Sequence, residues 1–142
     1  METKNKWKPM PIKSILASVE RVFKARDIDK LTGPAYKALM NMSGFIAHYD
    51  INGFKHRYQN TSELAEAILN SMDAIRPNYW REGHFVQNYG KEYCDSKADL
   101  YAGLATLAQK YSQELTRHDF EKSKAYEIEQ ARSILIKYGI TA

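Results

Sequence analysis

The stretch SKADLYAGLATLAQKYSQELT (residues 96–116), followed by RHD (117–119) and FEKSKAYEIEQARSILIKY (120–138), decides the fold class. Leu100, Leu104, Leu107, Tyr111 and Leu115 recur at spacings of 4, 3, 4 and 4, which places them on one face of an α-helix. Asp95 or Ser96 is the expected cap of that helix. After Arg117-His118-Asp119, read as a short break, Ala125, Ile128, Ala131, Leu135 and Tyr138 mark the inner face of a second helix, with Gly139 as its stop. Two long helices with a short joint predict an antiparallel hairpin.

Upstream the same periodicity continues. Ile12, Ile15, Leu16, Val19, Val22 and Phe23 form one face of a helix from Ile12, with Lys13, Glu20, Arg21, Lys24 and Arg26 outside it. Pro34 suits a first helical position, so a helix of about 34–50 follows, stopped by Asn52-Gly53. Phe54 to Tyr58 predicts a short helical turn, and Thr61 the cap of a helix of about 62–72. Arg76-Pro77 redirects the chain, and residues 78–93 read either as a helix broken near Gly83 or as an ordered loop ended by Gly90. No alternating segment bounded by turn residues asks to be a strand. The expectation is an all-α, compact single domain over 12–142, a bundle of five or six helices, preceded by a flexible basic arm over 1–11.

Composition narrows the function classes. At 142 residues, 44% hydrophobic and 27% charged, the chain has the size and make-up of one globular domain. A single cysteine, Cys94, leaves no internal disulfide and fits a reducing compartment. No segment has the apolar length of a membrane span and no apolar run follows the N-terminal lysines, so a cytoplasmic protein with no membrane partner is expected. The net charge of +4 sits in the N-terminal third: residues 1–37 carry nine Lys/Arg against four Asp/Glu, and residues 38–95 five against seven.

The centre of the chain is where function is expected. Residues 45–101 hold ten of the seventeen aromatic side chains and three of the four histidines. Tyr and Trp combine an apolar body with a polar tip, and with Arg they dominate binding hot spots. The expected protein-partner surface comprises His48, Tyr49, His56, Arg57, Tyr58, Tyr79, Trp80, Arg81 and His84, with Arg57 and Arg81 bonding an acidic partner site. The competing expectation for about half of these aromatics is plain core, since Phe45, Phe54 and Phe85 have no polar tip. Small, motif-poor chains of this kind are often accessory or inhibitor proteins of mobile genetic elements, an association of size and style rather than of chemistry.

Two rival classes compete with a non-enzymatic binder. A nucleic-acid binder would use Lys4, Lys6, Trp7 and Lys8 of the arm with Lys13, Arg21, Lys24 and Arg26 of the first helix, the tryptophan stacking while the cations track phosphates. Against it, the break between the first two helices is too long for a helix-turn-helix. A metal-dependent or small-molecule enzyme would draw on His48, Asp50, His56, His84, Cys94 and Asp95. Their spacings match no metal motif, no family signature surrounds Cys94, and no glycine loop cradles phosphate. Neither a catalytic residue nor a cofactor is therefore assigned, and oligomeric state is left open.

Overall fold

A computed structural model describes residues 11–42, 50–76 and 78–140. Among them the chain forms seven α-helices and two 3-10 turns, with no strand. The helices are α1 (Ile12–Ala25), α2 (Gly33–Met40), α3 (Ile51–Arg57), α4 (Thr61–Leu69), α5 (Met72–Ile75), α6 (Gly83–Tyr89) and α7 (Lys91–Lys137). The 3-10 turns are Ile28–Lys30 and Tyr79–Arg81. The expected arm at 1–10 and the stretch 43–49, which includes Gly44, His48 and Tyr49, lie outside the described residues.

Helix α7 organises the rest. Its 47 residues make a rod roughly 70 Å long at 1.5 Å per residue. Along its first half Cys94, Ala98, Leu100, Tyr101, Leu104, Ala108 and Leu115 are buried, and α1, α4, α5, α6 and the Tyr79–Arg81 turn all pack against it. Ile15, Val19, Val22 and Phe23 of α1 and Leu64, Ala65 and Ile68 of α4 close the core from the other side. Gly103 is where α1 crosses closest: a Cβ there would stand 2.9 Å from the Leu16 side chain. Tyr111 donates to Glu20 at 2.9 Å, and Arg26 pairs with Glu114, so polar contacts finish the α1–α7 seam.

The expected C-terminal hairpin is not formed. Arg117-His118-Asp119 is helical, and α7 runs through it without a break. The polar residues that suggested a joint have a tertiary role instead: the Asp119 carboxylate accepts the Ser62 amide hydrogen at 2.9 Å. It thereby caps α4, whose own N-cap residue Asn60 makes no side-chain cap bond. Thr61, expected as that cap, is buried in the first turn. Nor do Ala125, Ile128, Ala131 and Tyr138 form an inner face, because they and nearly all of residues 120–137 are exposed.

Other boundaries shift for local reasons. Asn52-Gly53 does not stop a helix but opens one: Asp50 accepts from the Gly53 amide at 2.7 Å and caps α3. Helix α2 ends at Met40, well short of 50. Helix α7 starts four residues ahead of Asp95, because Gly90 at φ +90° ends α6 and begins α7 in one residue. Gly139 does stop the helix as expected: the Ile140 amide bonds the Leu135 carbonyl and the Gly139 amide that of Ile136, a Schellman closure.

These assignments separate three positions on one helix. Leu104→Ala should cost about 2–5 kcal/mol, Asp119→Ala about 1 kcal/mol, and Ile128→Ala under about 0.5 kcal/mol, as read by urea unfolding. A hairpin would instead make Ile128→Ala costly.

Candidate functional site

The second aromatic run folds as a ridge over the first turns of α7. Asp73 and Ser71 anchor α5 by burial, Ser71 accepting from the Ala74 amide at 3.3 Å. The Tyr79–Arg81 turn and α6 then lie along α7. Tyr79, Trp80, Phe85, Tyr89 and Tyr93 form a continuous ring network. Trp80 and Phe85 centroids are 4.4 Å apart, and Tyr79 meets Phe85 edge-on at 5.0 Å. His84 lies against Phe85 at 4.0 Å, and the Arg76 guanidinium covers Tyr79 at 5.6 Å. Such offset and edge contacts are the arrangements that ring quadrupoles favour.

The ridge is braced from below by charge. Arg81 donates from Nε to Asp95 and from Nη2 to Asp99, each at 2.9 Å, and Lys91 also reaches Asp95 at 3.2 Å. The Arg81 guanidinium and then the Lys91 ammonium hold the Asp95 carboxyl below the ordinary carboxylate range. Beneath Trp80 lies Lys97, 8% exposed, its Nζ 4.4 Å from the Trp80 ring and 5.5 Å from the rings of Tyr93 and Tyr101. It donates to the Tyr101 hydroxyl at 3.3 Å. Burial pushes its ammonium below the ordinary lysine range, against the opposing field of the buried Asp73 carboxylate. The aromatic faces offset part of that desolvation as cation–π partners.

The space beneath the ridge is filled by side chains. The gap bounded by Asp73, Arg76, Tyr79, Trp80, Ala98 and Tyr101 has no room for a water molecule. Burial raises the Cys94 thiol above its ordinary range, which opposes the thiolate that nucleophilic attack requires. Among the described residues no three His, Cys, Asp or Glu side chains converge as a metal site would need.

Of the nine residues expected to form one surface, His48 and Tyr49 lie outside the described residues and the other seven are divided. Tyr79, Trp80, Arg81 and His84 belong to the ridge. Tyr58 is core, its ring 4.8 Å from that of buried Phe54. Arg57 covers Tyr58 and pairs with Glu63 at 3.5 Å, and Arg81 is taken by Asp95 and Asp99, so neither arginine is held open for an acidic partner. His56 lies elsewhere, in an open cleft of about 480 Å³ with Arg26, Asp27, Asp29, Lys55 and Lys122. Lys97 beside the ridge and Lys122 beside the cleft are roughly 37 Å apart along α7. Among the described residues, His56 of the first run and the ridge of the second therefore lie at separate places on the rod.

Of the alternative nucleic-acid set, Lys13, Arg21 and Lys24 are exposed, whereas Arg26 is tied to Glu114. Arg26 also has a left-handed backbone, φ +54°, at the end of α1. Lys4, Lys6, Trp7 and Lys8 lie outside the described residues. Lys97 and Asp99 had no expected role, Tyr89 lay in the aromatic run but outside the expected surface, and Phe85, expected as core, is a half-buried member of the ridge. The spacing Tyr93, Lys97, Tyr101, one turn apart on each side, was the available signal for the lysine cage.

Two measurements test the brace. Between the folded and unfolded pKa values of Lys97 the unfolded chain binds more protons, so stability rises with pH through a window that closes near the ordinary value of 10.5. As pH rises through that window, the wild type should therefore gain in denaturant midpoint relative to Lys97→Met. A pH-independent difference would remove Lys97 as the cause. Trp80→Ala should cost about 2–3 kcal/mol, because the ring is half-buried against the core and roofs Lys97.

Comparison of the chain with protein-family models, with curated proteins and with solved structures gave no match.

Proposed function

We propose that this protein is a small non-enzymatic binding protein that docks a protein partner on the ridge formed by Tyr79, His84, Phe85 and Tyr89. One observation carries the reading: a network of stacked rings stands on the surface, with Tyr89 56% exposed and His84 open to solvent, on a base locked by Arg81 and Lys97. Met72 and Ile75 on α5, the helix that precedes the rings, are exposed as well. Rings held in place before contact lose little conformational entropy on binding, and their hydroxyl and imidazole tips supply directional bonds at the rim.

The partner chemistry differs from the first expectation. With Arg81 and Arg57 already paired within the chain, affinity comes from ring burial, and the exposed tips of Tyr89 and His84 set orientation. An accessory or inhibitor role for a mobile genetic element accords with a stand-alone binder of this size. A nucleic-acid reading keeps one specific support, the exposed Lys13, Arg21 and Lys24, which lie within about 80° of one another on the outer face of α1.

Photo-crosslinking separates the readings. A benzophenone amino acid at position 89 should yield a single protein adduct in the native host, and nucleic-acid adducts or none would reject the ridge as a protein site. Against the partner so identified, Tyr89→Ala with His84→Ala should weaken binding at least tenfold while folding stability changes by under about 0.5 kcal/mol. Duplex binding that depends steeply on salt and is lost in Lys13→Ala/Arg21→Ala/Lys24→Ala would favour the alternative.

A further inference from the structure

The apolar stripe of α7 changes sides. In its first half the buried residues face α1 and α4. Beyond Leu115, at 100° per residue, Phe120, Ile128, Ala131, Ile134, Leu135 and Tyr138 form a new stripe roughly 140° round the helix from the buried one. Seven of the ten large hydrophobic side chains exposed among the described residues lie between Phe120 and Ile140, with Phe120 at 67% and Tyr138 at 68%. An isolated helix of about twenty residues is marginal in water without a packed face. A stripe turned away from its own core calls for another surface to cover it.

We infer that this stripe is a dimerisation face, and that its occupant is the same stripe of a second copy running antiparallel. The charges choose the occupant. Between 120 and 138 the helix carries Lys122, Lys124, Arg132 and Lys137 against Glu121, Glu127 and Glu129, a near balance that suits neither a phosphate backbone nor an anionic membrane. Their placement is self-complementary. Glu121 and Arg132 lie on the same flank of the stripe, about 20° apart on the wheel. In an antiparallel two-fold pair, residues of one flank meet that same flank of the partner, so each Glu121 faces the other copy's Arg132.

That register fixes the remainder. The two-fold axis falls beside residues 126 and 127, where Lys124 and Glu127 interrupt the stripe: the two Glu127 carboxylates lie side by side at the axis, and Lys124 of each copy, roughly 3 Å further along, offsets their repulsion. Phe120 is then set over the small Ala131 and over Ile134 of the second helix, a large side chain against a gap. Parallel pairing would instead set the flank of Glu121 and Arg132 against the opposite flank of the other copy, so that neither Glu121–Arg132 contact could form. The overlap spans roughly 33 Å of helix and about 10 Å of width, which with the flanks gives on the order of 600–700 Å² per copy. That is the low end of specific interfaces, and it implies a reversible dimer with a dissociation constant on the order of micromolar. Glu121 already reaches Arg117 of its own chain at 3.6 Å, an exposed pair that the intermolecular contact would join or replace.

Sedimentation equilibrium of the full chain from about 1 to about 200 µM is the test. A reversible shift from 16.4 kDa towards twice that mass is expected. Phe120→Glu with Ile134→Glu should raise the dissociation constant at least tenfold without loss of helical signal, since both residues are exposed in the single chain. Glu121→Arg alone and Arg132→Glu alone should each weaken the dimer, and the double reversal should restore it. A single 16.4 kDa species at every concentration overturns the proposal, as does association untouched by the apolar pair of substitutions. Failure of the double reversal to rescue overturns the antiparallel register. Stripe variants that lose only heterologous or vesicle binding, with no self-association in the wild type, assign the face to another occupant.

Discussion

A continuous helix of 47 residues cannot be covered by a body of this size, and the rest of the structure follows from that constraint. At roughly 70 Å, α7 is about twice as long as the roughly 37 Å width of a compact chain of 142 residues, whose radius of gyration is about 14 Å. One half of the rod can be buried and the other must project. The buried half carries the mixed small and large residues that close packing requires, Ala98, Gly103, Ala108 alternating with Tyr101, Leu104 and Leu115. The four short elements α4, α5, Tyr79–Arg81 and α6 are each too short to be stable alone, and each takes its order from contact with that half.

The polar contacts along the rod are arranged to hold those short elements at their ends. Asp119 takes the free amide at the start of α4, Arg81 ties the turn before α6 to Asp95 and Asp99, and Glu20 and Glu114 receive Tyr111 and Arg26 across the α1 seam. Lys97 is the exception, a cation placed inside. Its cost is lowered by three ring faces and by Asp73, and its position under Trp80 makes the exposed ridge and the buried core one mechanical unit. A surface ring network without such a base would be free to repack, and would lose its preorganisation.

The sequence was legible where the signal is local. The α1 stripe, Pro34 in the first turn of α2 and the glycine stop at Gly139 each depend on a few neighbouring residues, and each is found as expected. Legibility ended where a residue's partner lies far along the chain. His118-Asp119 reads as a break because Asp is a poor helix interior residue, and nothing nearby reveals that its carboxylate serves Ser62. Ala125, Ile128, Ala131 and Leu135 do form a stripe, but periodicity reports that a helix has an apolar face, not what the face touches. The same blindness divided the aromatic surface: Tyr58 and Tyr89 have one chemistry, yet the first is core beside Phe54 and the second stands 56% exposed.

The proposed readings give the two ends of α7 different tasks, set apart along one rigid helix. Lys97 under the ridge and the proposed two-fold axis beside residue 126 are about 45 Å apart along one helix. Paired antiparallel, two copies would carry their ridges outward at opposite ends of a rod close to 90 Å between sites. A stiff spacer of that kind favours a partner that is itself repeated or dimeric, because the second contact then becomes intramolecular without the entropy a flexible linker would lose. Weak individual sites would suffice, which is in keeping with a ridge of four rings and an interface at the small end of the specific range. The exposed length of α7, costly for a solitary monomer, is in this reading what sets the distance between the two sites.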